Sequence, residues 1–429
     1  MKYRKILYTM CYVTLTIAIL ASATSAANSV EISEYYPPTE AHLVCGLVSS
    51  SDNHLWFIKS SETNSQIVKS SIDGQMTEYQ IPLVDNSYSN SHICSTSAGL
   101  NGDIWLIGVE KNKEDGRTSN YIRRVTSSGS VQTIPIFAPI SNINMRPKIL
   151  ADINFVNESE IWLTLGVGND SEGGGEPYTM LIKTNSSGDI LDSYEESGVN
   201  PLLESVNDSQ KNKYFIADNK LFRINPSGSI TSTELDETPW QQISEFLGWG
   251  LRSRLALDSN DNLWFYSMNM QDQRFIITMI NTDGATNNIL LPSGVVPLTQ
   301  LQPSKDKKVW YILSRPENSK ISNYHLEYID SESRIINSGK LSLNTGDIIT
   351  TSTLGPDQNL WAIVSNFSEA TSNVRLVKIE LEKSTETPMP PKTGNVAVFI
   401  VISSLVVSSA LLFSAYIHQK HLKSKVATR

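Results

Sequence analysis

Charge is sparse in this sequence, at 18% of 429 residues, and no segment between its two ends sustains a helical period. Because 40% of the residues are hydrophobic, the chain can bury a core, so intrinsic disorder is excluded. The missing helical period excludes a coiled coil, and 23 glycines are far fewer than a collagen repeat needs. Basic residues are short in the middle. Lys2, Arg4 and Lys5 open the chain, and Lys392, Lys420, Lys423, Lys425 and Arg429 close it. Of 35 basic residues, 27 remain between these ends against 44 acidic ones, a balance of −17. A surface that acidic repels a phosphate backbone, so no nucleic-acid partner is expected.

The ends carry targeting signals. The basic start, the apolar run Ile6 to Leu20 and the small residues Ala21 to Ala27 predict a signal peptide over 1–27, cut after Ala26 or Ala27. An uncleaved anchor needs a longer apolar span than this one. Residues 396–417 hold no charge over a length that crosses a bilayer as a helix, and the basic tail 418–429 keeps the cytoplasmic side. Before this span, in the linker 382–395, Pro390-Pro391-Lys392-Thr393-Gly394 resembles the LPxTG pentapeptide of Gram-positive surface proteins. The resemblance implies that a sortase cuts between Thr393 and Gly394 and joins the chain to cell-wall peptidoglycan. Pro390 stands where that family has Leu, and a plain membrane anchor is the alternative. Either way residues 28–381 lie outside the cell.

That middle region repeats. Leu55-Trp56-Phe57, Ile104-Trp105-Leu106, Ile161-Trp162-Leu163, Leu263-Trp264-Phe265, Val309-Trp310-Tyr311 and Leu360-Trp361-Ala362 share one triplet, and Lys213-Tyr214-Phe215 fills the double gap with Tyr in the Trp place. The seven markers step by 49, 57, 52, 50, 46 and 51 residues, a propeller period. Each unit reads as an inner strand, a polar turn, the Trp strand, a variable loop, a third apolar strand, a tight turn and an outer strand. The tight turn carries Asp73-Gly74, Ser128-Gly129, Ser187-Gly188, Ser227-Gly228 or Asp283-Gly284, residues suited to the positive φ of a two-residue hairpin. The seventh unit lacks its outer strand, and Val30 to Tyr36 supplies one at the start. The fold predicted is all-β: a seven-bladed propeller of four-stranded blades over 28–381, closed by the N-terminal strand. The marker Trp residues are expected between blades, as core.

The unit Asp52-Asn-His-Leu-Trp-Phe-Ile58, followed by Gln66 to Lys69, Asp73-Gly74 and Thr77 to Pro82, resembles the repeats of the streptogramin B (virginiamycin B) lyase family over roughly residues 29 to 381. The resemblance implies a seven-bladed propeller that opens a cyclic depsipeptide by elimination, with Mg²⁺, His about eleven positions before the Trp and Glu just beyond it. Here the residues eleven before the markers are Cys45, Cys94, Ala151, Leu203, Ser253, Thr299 and Thr350. Three beyond stand Lys59, Gly108, Leu165, Ala217, Ser267, Leu313 and Val364. None is His or Glu, so no catalytic residue, metal or cofactor is assigned.

Cys45 and Cys94 share a register in adjacent blades, where an exported protein allows a disulfide; buried free thiols are the alternative. His42 and His92 lie close upstream, but a Cys₂His₂ metal site is not adopted. His54 and His325 have no partner suggested by the sequence. Long insertions, read as loops over Gly108–Asn120, Gly166–Pro177 and Ser314–Asn323 and as blade-joining stretches over Phe137–Lys148 and Asp236–Arg252, gather on one face. Within the last, Trp240 and Trp249 stand near Arg252 and Arg254, a composition suited to binding a protein or glycan; a small helical cap is the alternative. Asn169 to Glu176 is read as a flexible acidic loop rather than a Ca²⁺ site. The expected function is therefore a surface-anchored binding or adhesion module acting through the long-loop face. A diverged lyase or hydrolase at the same face, or a structural wall protein, are the competing readings.

Overall fold

Each marker aromatic sits on the second strand of an antiparallel sheet, and seven such sheets follow one another along the chain. They are seen in a computed structural model that describes residues 30–381, apart from 40–42, 61–64, 84–87, 91–94, 100, 115–117, 136–144, 158–159, 170–177, 198–204, 218–219, 236–237, 240–254, 270, 318–320 and 367–372. The segments predicted as signal peptide, linker with Thr393 and Gly394, membrane span 396–417 and basic tail lie outside the described residues, as do His42, His92 and Cys94.

Blade 1 is typical, with strands Leu43–Ser49, Leu55–Ser60, Ser65–Ser70 and Met76–Ile81 paired in that order. The Trp strands of the other blades are Ile104–Asn112, Glu160–Asn169, Lys213–Ala217, Leu263–Asn269, Val309–Glu317 and Leu360–Asn366. Inner strands of successive blades touch one another around the ring, which makes them the wall of the axis. Side chains reinforce that wall: Asn207 Nδ2 donates to Phe155 O at 2.7 Å, and Gln302 Nε2 to Ser352 O at 3.2 Å.

Among the described residues the core consists of seven separate apolar clusters, one per interface between neighbouring blades. Trp56 packs on Ile104 and Leu106 of blade 2, Trp105 on Ile161 and Leu163 of blade 3, and Trp162 on Phe215 and Phe222 of blade 4. Tyr214 packs beside Leu263 and Phe265 of blade 5, Trp264 against Val309 and Tyr311, and Trp310 against Leu360 and Ala362. Trp361 then meets Leu55 and Phe57 of blade 1, so the ring is closed. Every marker Trp is at most 5% exposed, as a residue filling the gap between sheets must be.

Closure rests on strand pairing, because the last blade borrows a strand from the other end of the propeller. Ile32–Tyr35 pairs antiparallel with Asn373–Ile379, in register Ile32↔Ile379 through Tyr35↔Leu376. Tyr35 then stacks on Trp361 at 5.6 Å, just as Tyr79 stacks on Trp56 at 6.0 Å.

The turns differ from the two-residue hairpins that the glycines suggested. Gly74 N donates to Ser71 O at 3.1 Å and Ser71 N to Gln75 O at 3.0 Å, and only the last turn residue, Gly74 at φ 84°, has a positive φ. This is a type I turn closed by a bulged left-handed residue, and the same bonding recurs at Gly129, Gly188, Gly228 and Gly284. Between inner and Trp strands it is repeated with Asn53, Lys211, Asp261, Lys307 and Gln358 in the left-handed position. One face of the ring therefore carries nearly identical turns.

Candidate functional site

The opposite face is where blades differ. Two of the segments read as loops, those of blades 2 and 6, are largely strand, and the described part of the blade 3 segment, 166–169, is strand as well. In blade 2 the Trp strand runs to Asn112 and the third strand starts at Thr118, with Lys111 opposite Thr118. Blade 3 pairs Glu160–Asn169 with Tyr178–Thr184, and blade 6 pairs Val309–Glu317 with Ile321–Ile329 as far as Glu317↔Ile321. Blade 4, with Lys213–Ala217 and Lys220–Ile224, shows how short this hairpin is without extension. The face thus bears extended two-stranded hairpins in blades 2 and 6, whereas the pairing in blade 3 ends at Val167↔Tyr178, as far past the marker as in blades 5 and 7. The stretch Phe137–Lys148 is also partly strand, since the inner strand of blade 3 begins at Met145.

The stretch carrying Trp240, Trp249, Arg252 and Arg254 enters the fold differently from the expectation. Thr238–Pro239 and Ala256–Leu257 both pair with the Trp strand of blade 5, as Pro239↔Ser267 and Ala256↔Trp264. The chain therefore leaves and rejoins the innermost strand of one blade rather than joining two blades. Residues 240–254, and with them the four candidate side chains, lie outside the described residues.

That departure point is special in other blades too. In blade 1 Cys45 faces Ile58 and Val48 faces Trp56, so Gly46 and Leu47 together oppose Phe57. Blade 3 has a register shift between Leu150 and Asp152, and blade 7 one between Ile349 and Thr351. In blade 6 the inner strand is interrupted between Val296–Pro297 and Gln302–Pro303. Cys45, Ala151, Thr299 and Thr350, eleven residues before their markers, all fall at or beside these irregularities. A bulge bends its strand and changes the direction of a side chain. Thr299 spends its hydroxyl within the fold, accepting from Ile312 N at 3.0 Å, and is buried. Cys45 is disulfide-bonded, while Cys94 lies outside the described residues. The neighbouring Thr96 hydroxyl donates to Gly46 O, which brings the inner strands of blades 1 and 2 together.

Of the positions three beyond the markers, the described side chains are structural. Leu313 and Val364 are fully buried, and Ser267 shares a hydrogen bond with Thr278 at 2.8 Å. Lys59 is buried and pairs with Glu78 at 2.6 Å, its ammonium also reaching Thr39 O at 3.1 Å.

Two further buried charge groups were not anticipated. Glu327 is fully buried between Arg315, which donates to it, and Tyr311, whose hydroxyl donates at 3.0 Å. Burial, then the Glu327 charge, push Tyr311 upward, and Tyr266 is pushed well up by the same causes. In blade 7 Arg375 donates to Asp347 and, at 2.8 Å, to Glu34 on the N-terminal strand. Burial alone would raise Asp347, but Arg375, the Asn344 N–H and Asn366 outweigh it and hold the carboxyl below its usual range. Of the remaining histidines, His54 places Nδ1 2.8 Å from Asp52 O, and His325 is buried opposite Leu313. Among the described residues no cluster of His, Cys, Asp and Glu is arranged to hold a metal.

Comparison with protein-family profiles and with curated proteins gives no match. Among solved structures, a streptogramin B lyase is similar over 83% of this chain and all of its own, at 17% identity and a TM-score of 0.56. A virginiamycin B lyase from Staphylococcus aureus is similar over 82% of this chain and all of its own, at 16% identity and a TM-score of 0.54. At such identities the likeness establishes the seven-bladed propeller fold.

Proposed function

We propose that the chain is a binding module displayed on the cell surface, engaging an extracellular protein or glycan through the hairpin face. The observation that carries this reading is the asymmetry of the ring. One face repeats a single turn, whereas the other bears the extended hairpins of blades 2 and 6. Variation gathered on one side of a rigid scaffold is how recognition surfaces are built. The leader, the Pro390 to Gly394 pentapeptide and the span 396–417 support display by sortase attachment to peptidoglycan, with the C-terminal helix in the membrane beforehand. A glycan and host-protein array probed with the full-length chain in detergent tests the role: reproducible capture lost on Trp240→Ala or Trp249→Ala supports it, and no capture refutes it.

A second reading, a diverged lyase at the same face, is favoured by the inner-strand irregularities, which coincide with the positions where the resembled family keeps its His. It would need other residues, because those positions hold none able to take a proton as His does. Turnover of a cyclic depsipeptide with Mg²⁺, abolished by chelator, would establish it over the binding role.

A further inference from the structure

The interface between blades 4 and 5 differs at three places from the interfaces that follow blades 1 and 7, all in the outer half of the gap. In blades 1 and 7 this gap is plugged by an outer-strand tyrosine. Tyr79, opposite Ile67, lies so close over Gly129 of the next blade that a Cβ there would meet its ring at 2.0 Å. Tyr35, opposite Leu376, covers Gly74 in the same way. The corresponding residue of blade 4, opposite Leu221, is Thr233, and Gly284 of blade 5 has nothing within 4 Å of its Cβ position. The marker itself is Tyr214 rather than the larger Trp. What is left is a cleft of about 230 Å³.

The third departure is one of charge. Lys69, Arg124, Lys183 and Lys378 lie across from the Trp of their blades and are neutralised by Asp52, Asp103, Glu160 and Asp357. Arg223 occupies this place in blade 4, directly opposite Tyr214, with its guanidinium over that ring at 6.0 Å. It is exposed, and among the described residues no carboxylate lies within ion-pair distance of it; the two carboxylates that line the cleft are engaged elsewhere, Glu234 with Lys220 at 3.2 Å and Asp261 with the Ser209 N–H and hydroxyl at 3.0 and 2.5 Å.

We propose that this cleft binds one carboxylated sugar residue, with Arg223 taking the carboxylate. A guanidinium stacked on an aromatic ring keeps its planar fork free for a bidentate acceptor. Thr231 stands directly opposite Arg223, and Thr286 and Asn288 approach from blade 5; hydroxyls and amides both donate and accept, as sugar hydroxyls do. Leu263 and Phe265 give the floor an apolar patch for the C–H face of a ring. The volume equals that of roughly eight waters, the scale of one pyranose. The site lies on the circumference, apart from the hairpin face, and stands or falls independently of it.

Calorimetric or NMR titration of the full-length chain in detergent with D-glucuronate tests the proposal, with glucose and acetate as controls. Saturable binding with a dissociation constant on the order of 1 mM is expected, and at least about tenfold weaker binding of either control. Arg223→Gln and Thr233→Tyr should each weaken glucuronate at least about tenfold, the first by removing the cation and the second by restoring the plug. Should Thr233→Tyr fail to fold, the exposed Arg223 decides alone. No binding, equal binding of glucose or acetate, or unchanged affinity in Arg223→Gln overturns it.

Discussion

Replacing Arg375 with Met isolates the contribution of charge to ring closure. Asp347 is fully buried and Arg375 nearly so, and Glu34 on the N-terminal strand is 28% exposed. Arg375→Met leaves the Asp347 carboxylate in the interior with only Asn366 and the Asn344 N–H as partners. Breaking a buried pair from one side costs about 3–5 kcal/mol, which corresponds to a fall in Tm of about 4–7 °C in a propeller of about 350 residues. Glu34→Gln, at a partly exposed site, should cost about 1 kcal/mol or less. The double variant Arg375→Met/Asp347→Asn should recover most of the loss, since no uncompensated charge remains. The pH dependence has a defined sign. A carboxyl held below its unfolded pKa adds stability above that value and loses it as pH falls through the folded one. The Tm of the wild type should therefore drop more between about pH 4 and about pH 2 than that of Asp347→Asn. Calorimetric melts of the four proteins supply the cycle. A single Arg375→Met variant melting within about 2 °C of wild type would refute the argument.

Deleting residues 30–36 removes the outer strand of blade 7 and uncovers Trp361; a chain that still melts in one transition at the wild-type temperature would contradict strand closure. Gly129→Ala meets both a left-handed φ and the Tyr79 ring, whereas Gly284→Ala meets only the φ. The second should cost about 1–2 kcal/mol and the first clearly more, read from denaturant midpoints, and equal costs would contradict the plugged and unplugged interfaces. Tyr311 and Tyr266 should contribute no phenolate absorbance near 295 nm until the protein unfolds in alkali, because burial disfavours their charged forms; early ionisation of all tyrosines would show the blade 5–6 interface to be wet.

Much of the ring is legible in the sequence because its demands are local and repeated. A gap between sheets needs a large aromatic at one register, and a turn with a left-handed residue favours Gly, so Trp and Gly mark each blade. Even the borrowed strand shows itself, since Val30 to Tyr36 resembles the outer strand that blade 7 lacks. The hairpin extensions are illegible for the opposite reason. Glu110 to Gly116 is polar throughout, with no apolar alternation to mark a strand, and so reads as loop. Arg375, Asp347 and Glu34 form one buried network across 341 positions of sequence, which no local pattern reports. The cleft at blades 4 and 5 is a missing residue, visible only once Tyr35, Tyr79 and Thr233 are seen in the same register. The binding residues expected at Trp240, Trp249, Arg252 and Arg254 were picked by composition alone; where their segment joins the channel wall depends on strand pairing.

The borrowed strand also has mechanical consequences. The propeller passes into the following segment at Leu381, directly after Asn373–Ile379, and Glu380 N donates to Glu31 O at 3.1 Å beside that exit. Tension applied along this strand from its C-terminal end meets antiparallel neighbours on both sides, Leu360–Asn366 and Ile32–Tyr35. The two rows of hydrogen bonds would be loaded together in shear rather than opened one at a time. A ring ending in a free outer strand would peel from that edge; this one places its exit on a strand that is held from both flanks.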